Sequence, residues 1–216
     1  MEDTTDILLN IDMVYNHKKD FFLYLTLLHT AGFKCDMKKS LYTCINIKNI
    51  NTTAAAKITG VTPKTVRKYK NSYEDNYQYC GAIAPLPFSV YNHLINELGN
   101  MTAAEKNGII RLFCYYVCMC WMFQDFSRNK HQITKDLRST VGNVCRRTQW
   151  LIEHKFINLK HKHMNFADKE PHPCVYQLFI DEVPSHYVGT SWWVGQLAER
   201  DAQSLEEILK EFENSF

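Results

Sequence analysis

The chain has no glycine-rich phosphate loop, no HExxH pair and no serine at a strand-to-helix elbow. P-loop phosphoryl transfer, zinc proteolysis of that type and α/β-hydrolase chemistry therefore lack their residues. Twelve tyrosines are present, but no paired-histidine metal motif accompanies them, so tyrosine-based DNA cleavage has little to stand on. No active site and no cofactor are expected; the protein reads as a non-enzyme. Long apolar runs are missing too. The longest, Leu112 to Phe123, is too short to span a bilayer. The first residues are acidic and lack the basic-then-apolar order of a secretory leader. The expectation is a cytoplasmic protein without membrane contact, with its eight cysteines reduced. Three of these, Cys114, Cys118 and Cys120, fall within one apolar segment and are expected to act as small buried hydrophobes.

Net charge is also scarce, only +2 over 216 residues, but it is unevenly spread. Residues 1–16 carry four acids and no base; residues 46–72 carry six bases and no acid. Residues 128–163 hold nine bases against Asp136 and Glu153, and residues 199–216 hold six acids against two bases. Two basic blocks between acidic ends suit a protein that lays discrete patches on a phosphate backbone. With 45% hydrophobic and 13% aromatic residues, the chain has ample material for a folded core, as one large domain or two small ones.

The first basic block contains the most specific pattern, NTTAAAKITGVTPKTVRKYKNS at Asn51–Ser72. A small-residue helix runs to Gly60. Thr62 then caps a second helix with Pro63 at its first position, where the missing N–H costs nothing. That helix sets Lys64, Thr65, Arg67, Lys68 and Lys70 around an inward Val66 and Tyr69. Small-residue helix, glycine turn and basic helix make the helix-turn-helix pattern that reads DNA.

Around it, residues 7–15 suit a short strand or an irregular docking arm, and His17–Thr30 an apolar helix. Cys35–Lys48 is ambiguous. Residues 76–87 hold one Gly and two Pro without helical period and read as a boundary or a rudimentary wing. Phe88–Leu98 is a short helix ended by Gly99. Thr102 with Glu105 forms a capping box ahead of a core helix reaching about Phe126, apolar nearly all round.

In the second basic block, Thr134 is expected to cap a short helix over residues 135–138, and Ser139 or Thr140 a longer one ending near His154. Val141, Val144, Cys145, Thr148, Leu151 and Ile152 form its inward stripe; Asn143, Arg146, Arg147 and Gln149 lie off it. FINLKHKH and CVYQLFI then read as a β-hairpin. Leu197–Phe212 is a terminal helix with an apolar stripe.

The segment ITKDLRSTVGNVCRRTQWLIEHKFINL resembles winged-helix domains, whose recognition helix closes on a Leu–x–x–x–[Gly/Lys]–[Phe/Leu]–Ile phrase leading into the wing, here Leu151–Ile157. The segment TTAAAKITGVTPKTVRKY within the first block resembles the helix-turn-helix of many bacterial and phage regulators. Together they look like the tandem winged-helix replication initiators and regulators of plasmids and phages. The resemblance implies a mainly α fold with small β-hairpin wings and two helix-turn-helix or winged-helix units, at 1–80 and 81–185, followed by a tail at 186–216. Double-stranded DNA would be the partner. Its contacts would be Thr62, Lys64, Thr65, Arg67, Lys68 and Lys70 on the first unit, Asn143, Arg146, Arg147 and Gln149 on the second, and Lys160 and Lys162 at the wing. A protein-interaction adaptor on the same scaffold is the competing expectation, with a homodimer through the terminal helix also open. His161, His163, His172 and Cys174 form an HxH…HxC set that a hairpin would lay side by side. Their spacing matches no common zinc finger, so no metal is assigned.

Overall fold

The structure, a computed structural model, describes residues 7–31, 33–36, 41–44, 47–73, 76–78, 83–122, 126–128, 130–161 and 174–178. Its centre is a helix, α6 (Ala103–Met122), buried continuously from Gly108 to Cys120. The capping box starts it: Glu105 N–H donates to Thr102 Oγ1 at 3.3 Å, while Thr102 N–H and Oγ1 donate back to Glu105 Oε2 at 3.4 and 3.0 Å. A helix without a polar face needs partners on every side, and other helices together with several strands supply them.

Residues 7–16 resolve into a strand, β1 (Ile7–Asn10), and a helix, α1 (Ile11–Asn16). Asn10 Oδ1 accepts from Asp12 N–H at 2.8 Å and makes the switch between them. α2 (Phe21–Ala31) starts four residues later than the apolar pattern suggests, because His17 is spent as the C-cap of α1, its N–H on Met13 C=O. Nine of the eleven residues of α2 are buried.

The ambiguous stretch after α2 becomes two strands, β2 (Phe33–Asp36) and β3 (Leu41–Cys44). α3 (Thr52–Thr59), α4 (Pro63–Ser72) and β4 (Asn76–Gln78) follow, and β4 joins β3 to complete an antiparallel sheet in the order β2-β3-β4. β5 (Ile83–Leu86) pairs with β1, with Ile7 opposite Leu86. α5 (Phe88–Leu98) ends at Gly99, whose φ of 44° only glycine adopts readily. The expected boundary near residue 80 thus falls between β4 and β5, with β1 paired to β5 and α2 packed on α6 across it.

After α6 come β6 (Phe126–Arg128), α7 (Lys130–Asp136), α8 (Val141–Glu153), β7 (Ile157–His161) and β8 (Cys174–Leu178), with the strands in the antiparallel order β6-β8-β7. The β7–β8 hairpin lies where the two β-prone runs placed it; the core helix stops at Met122, and Phe126, expected at its end, opens β6 instead. One cap moves. Thr134 does not start a helix but sits inside α7, its Oγ1 donating to Lys130 C=O at 2.6 Å. The chain is therefore mainly helical with small antiparallel sheets. Among the described residues no helix is long and apolar enough to cross a membrane.

Candidate nucleic-acid interface

α3 and α4 are defined by their ends. Asn51 Oδ1 accepts from Thr53 and Ala54 N–H at 3.0 and 3.2 Å, and Gly60 closes α3 at φ 74°. Thr62 Oγ1 then accepts from Thr65 N–H at 3.2 Å, with Pro63 in the first turn of α4. Val66 is the one buried residue of α4 and anchors it to the core. Lys64, Arg67 and Lys68 are exposed on the remaining face. Thr65 is half-buried and shares a hydroxyl hydrogen bond with Thr62 at 2.9 Å. Lys70 turns away from the other bases: its Nζ donates to Ile50 C=O at 3.1 Å.

The far end of α4 is fastened by Tyr73, whose hydroxyl donates to Asp20 at 2.6 Å. His17 reaches the same carboxylate at 3.4 Å and stacks on Tyr24 with ring centroids 3.7 Å apart. Burial works to raise the Asp20 pKa, but the hydrogen bonds from His17 and Tyr73 outweigh it and hold the carboxyl below its ordinary value.

α8 is capped by Thr140, whose Oγ1 accepts from Asn143 N–H at 3.3 Å. Val144, Thr148 and Leu151 face the core, and Thr148 shares a hydrogen bond with Tyr116 at 3.0 Å. The helix ends in a Schellman motif. Lys155 takes φ 60°, its N–H on Ile152 C=O, while Phe156 N–H reaches Leu151 C=O. The Leu–x–x–x–Lys–Phe–Ile phrase is that motif: Leu151 and Phe156, its two apolar positions, are both buried, and Ile157 starts the strand.

The side chains expected off the inward stripe do not all face outward. Gln149 is exposed and bonds Glu153 at 3.0 Å. Arg146 is exposed but leans to α6, paired with Glu105 at 3.2 Å. Arg147 is half-buried, and its guanidinium occupies the space above Gly108 where any other residue would carry a Cβ. Asn143 is half-buried at the rim of a groove. Helical periodicity separates a core stripe from its complement; it cannot tell solvent from a neighbouring helix, and here α6 takes part of that complement.

That groove, about 490 Å³, lies between the first half of α6 and the start of α8. Its cations are Lys18, Lys19, Arg111, Arg138 and Arg147, and none of its described lining residues is acidic. Asn107 fixes the Lys18–Lys19 turn on α6, accepting from Phe22 N–H at 2.9 Å and donating to Lys18 C=O at 3.1 Å. Burial, then the charges of Arg147 and Arg138, push the pKa of Arg111 down to about 10. A smaller cavity lined by Lys19, Thr65, Tyr69, Ala104 and Asn107 continues toward α4. The starts of α4 and α8 therefore open onto the same stretch of α6. Of these groove bases the sequence-based set held only Arg147. Arg111 was visible as a lone charge inside an apolar run, which signals a purpose without naming one.

At the hairpin, Lys160 and His161 belong to β7 and Cys174 opens β8. Lys162, His163, His172 and the helix expected at 197–212 lie outside the described residues. Compared with known proteins, the chain matches no family model, no curated protein and no solved structure.

Proposed function

We propose that the protein binds double-stranded DNA sequence-specifically through α4 and α8, as a non-enzymatic transcriptional regulator or replication initiator of a mobile element. The observation that carries this is the convergence of two capped, basic helices on one stretch of α6. Three exposed bases on α4 stand on one side and the acid-free groove at the start of α8 on the other. A cationic surface of this kind binds phosphate backbone whatever the sequence, and base-edge contacts from the helices add specificity. Lys64, Thr65 and Lys68 would meet base edges or adjacent phosphates, and Arg67 a guanine bidentately. A hairpin directly after α8 fits the wing of a winged helix, and Lys160 on it would add a phosphate contact, with Lys162 a further candidate outside the described residues. Arg146 exchanges Glu105 for phosphate at little cost, since an exposed ion pair is worth no more than about 1 kcal/mol.

An electrophoretic shift series with random genomic fragments tests the reading. The wild type should select a subset of fragments over competitor DNA, and Arg67→Glu with Lys68→Glu should abolish the selection. If no fragment is preferred, sequence-specific binding is wrong. If the charge-reversed variant selects as before, α4 is not the reader.

A further inference from the structure

We propose that the groove between α6 and the start of α8 is a built phosphate site, taking inorganic phosphate or a phosphate group carried by a larger ligand. The inference goes beyond DNA reading by α4 and does not depend on it.

Its floor is Arg111, only 6% exposed. Two of its donors are spent on neutral backbone: Nε on Val14 C=O at 2.7 Å and Nη1 on Leu137 C=O at 3.0 Å. The third nitrogen, Nη2, is buried with no partner among the described residues, as is Nε of Arg147 above it. The guanidinium is held by two neutral carbonyls, and the charge of Asp20 offsets less of its cost than burial, Arg147 and Arg138 impose; proteins rarely keep such a group without an anion beside it.

Neighbouring acids do not supply that anion, because each is engaged elsewhere. Asp20 takes Tyr73 and His17, Asp136 takes Tyr115 at 2.6 Å, and Glu105 takes Thr102 and Arg146. Lys18, Lys19 and Arg138 instead add three more cations around the opening. Ser139 and Thr140, at the start of the thirteen-residue α8, also line the groove. The positive end of that helix therefore lies beside it. Gly108 completes the arrangement, because only a residue without Cβ leaves Arg147 its place over α6. Planar guanidinium donors and ammonium groups around one opening are what a tetrahedral phosphate binds.

Calorimetric titration of the full-length chain with inorganic phosphate, against sodium chloride at equal ionic strength, tests the site. The expected result is one saturable site and a melting temperature that climbs with phosphate. Arg147→Met and Arg138→Met should each weaken binding by about tenfold, roughly the worth of one charge-assisted hydrogen bond. Arg111→Met should abolish binding; if that variant does not fold, the two rim variants still decide. Arg67→Glu on α4 should leave phosphate affinity unchanged, so loss of DNA reading and loss of this site are separable. No saturable binding above the chloride control, or rim variants that bind like the wild type, would overturn the proposal. A final arm assigns the source of the phosphoryl group. If phosphate displaces a bound fluorescent duplex and Arg147→Met weakens duplex binding, the occupant is a backbone phosphate. If neither happens while phosphate still binds, a free phosphorylated ligand fills the groove.

Discussion

Arg147 of α8 lies across Gly108 of α6, its guanidinium filling the volume a β-carbon would need. The contact couples the two helices that frame the basic groove. Gly108→Ala should therefore separate stability from binding. Alanine gains up to about 1 kcal/mol of helix propensity over glycine, and what must move is the end of a flexible side chain rather than backbone. Urea unfolding should show a variant as stable as the wild type or slightly more so, while duplex affinity drops several-fold as Arg147 is displaced. A variant that unfolds easily but binds normally would mean that Arg147 holds the fold and not a ligand.

Legibility in the sequence followed the range of the interaction involved. The capping box at Thr102 and Glu105, the cap at Thr62 and the cap of α8, narrowed to Ser139 or Thr140, each involve residues within one turn, and each was visible as spacing. The pairing of β3 with β4 spans the whole α3–α4 unit, so Leu41–Cys44 looked ambiguous in isolation. The groove was least visible. It draws Lys18, Arg111, Arg138 and Arg147 from four separate parts of the chain, and only the packing of α1, α2 and α8 on α6, with α7 on α8, gathers them.

Tyr73 and Asp20 give a pH-dependent prediction. Hydrogen bonds hold the folded Asp20 carboxyl below its ordinary value. The stabilisation they provide is complete above the unfolded pKa, near 4, and disappears as pH falls through the lower folded value. Tyr73→Phe should cost about 1.5–3 kcal/mol at pH 7, the range for a hydrogen bond to a charged group. The difference between variant and wild type should narrow steadily below about pH 4. Denaturant midpoints measured between pH 7 and pH 2 check it. A pH-independent deficit would assign the loss to packing of the Tyr73 ring against Tyr24 and His17.

The two central bases of α4 should fail differently. If Arg67 meets a guanine edge, Arg67→Ala should cost about 1–3 kcal/mol on the preferred fragment and little on random DNA. If Lys68 meets phosphate, Lys68→Ala should weaken both alike and lower the slope of log affinity against log salt by about 1. Fluorescence anisotropy at four salt concentrations with both DNAs resolves the pair. Equal losses on both DNAs and equal slope changes for the two variants would mean that α4 only lies on backbone.

Arg138 adopts φ 47° in the turn between α7 and α8, where it closes α7 in a Schellman motif with Ser139 N–H on Thr134 C=O. A left-handed conformation costs a residue with a Cβ about 1–2 kcal/mol, and glycine nothing. Part of the gain on substitution is offset by the greater freedom of glycine in the unfolded chain. Arg138→Gly should thus stabilise the fold by roughly 0.5–1 kcal/mol, whereas Arg138→Ala, which keeps the strain, should leave stability close to wild type. Both remove the same cation from the groove mouth and should weaken phosphate and duplex binding to a similar degree. Urea unfolding beside phosphate titration of the two variants separates the contributions. If glycine destabilises while alanine does not, the strain at 138 is not what the backbone angle implies. If binding survives in both, the guanidinium rather than the turn has been misassigned.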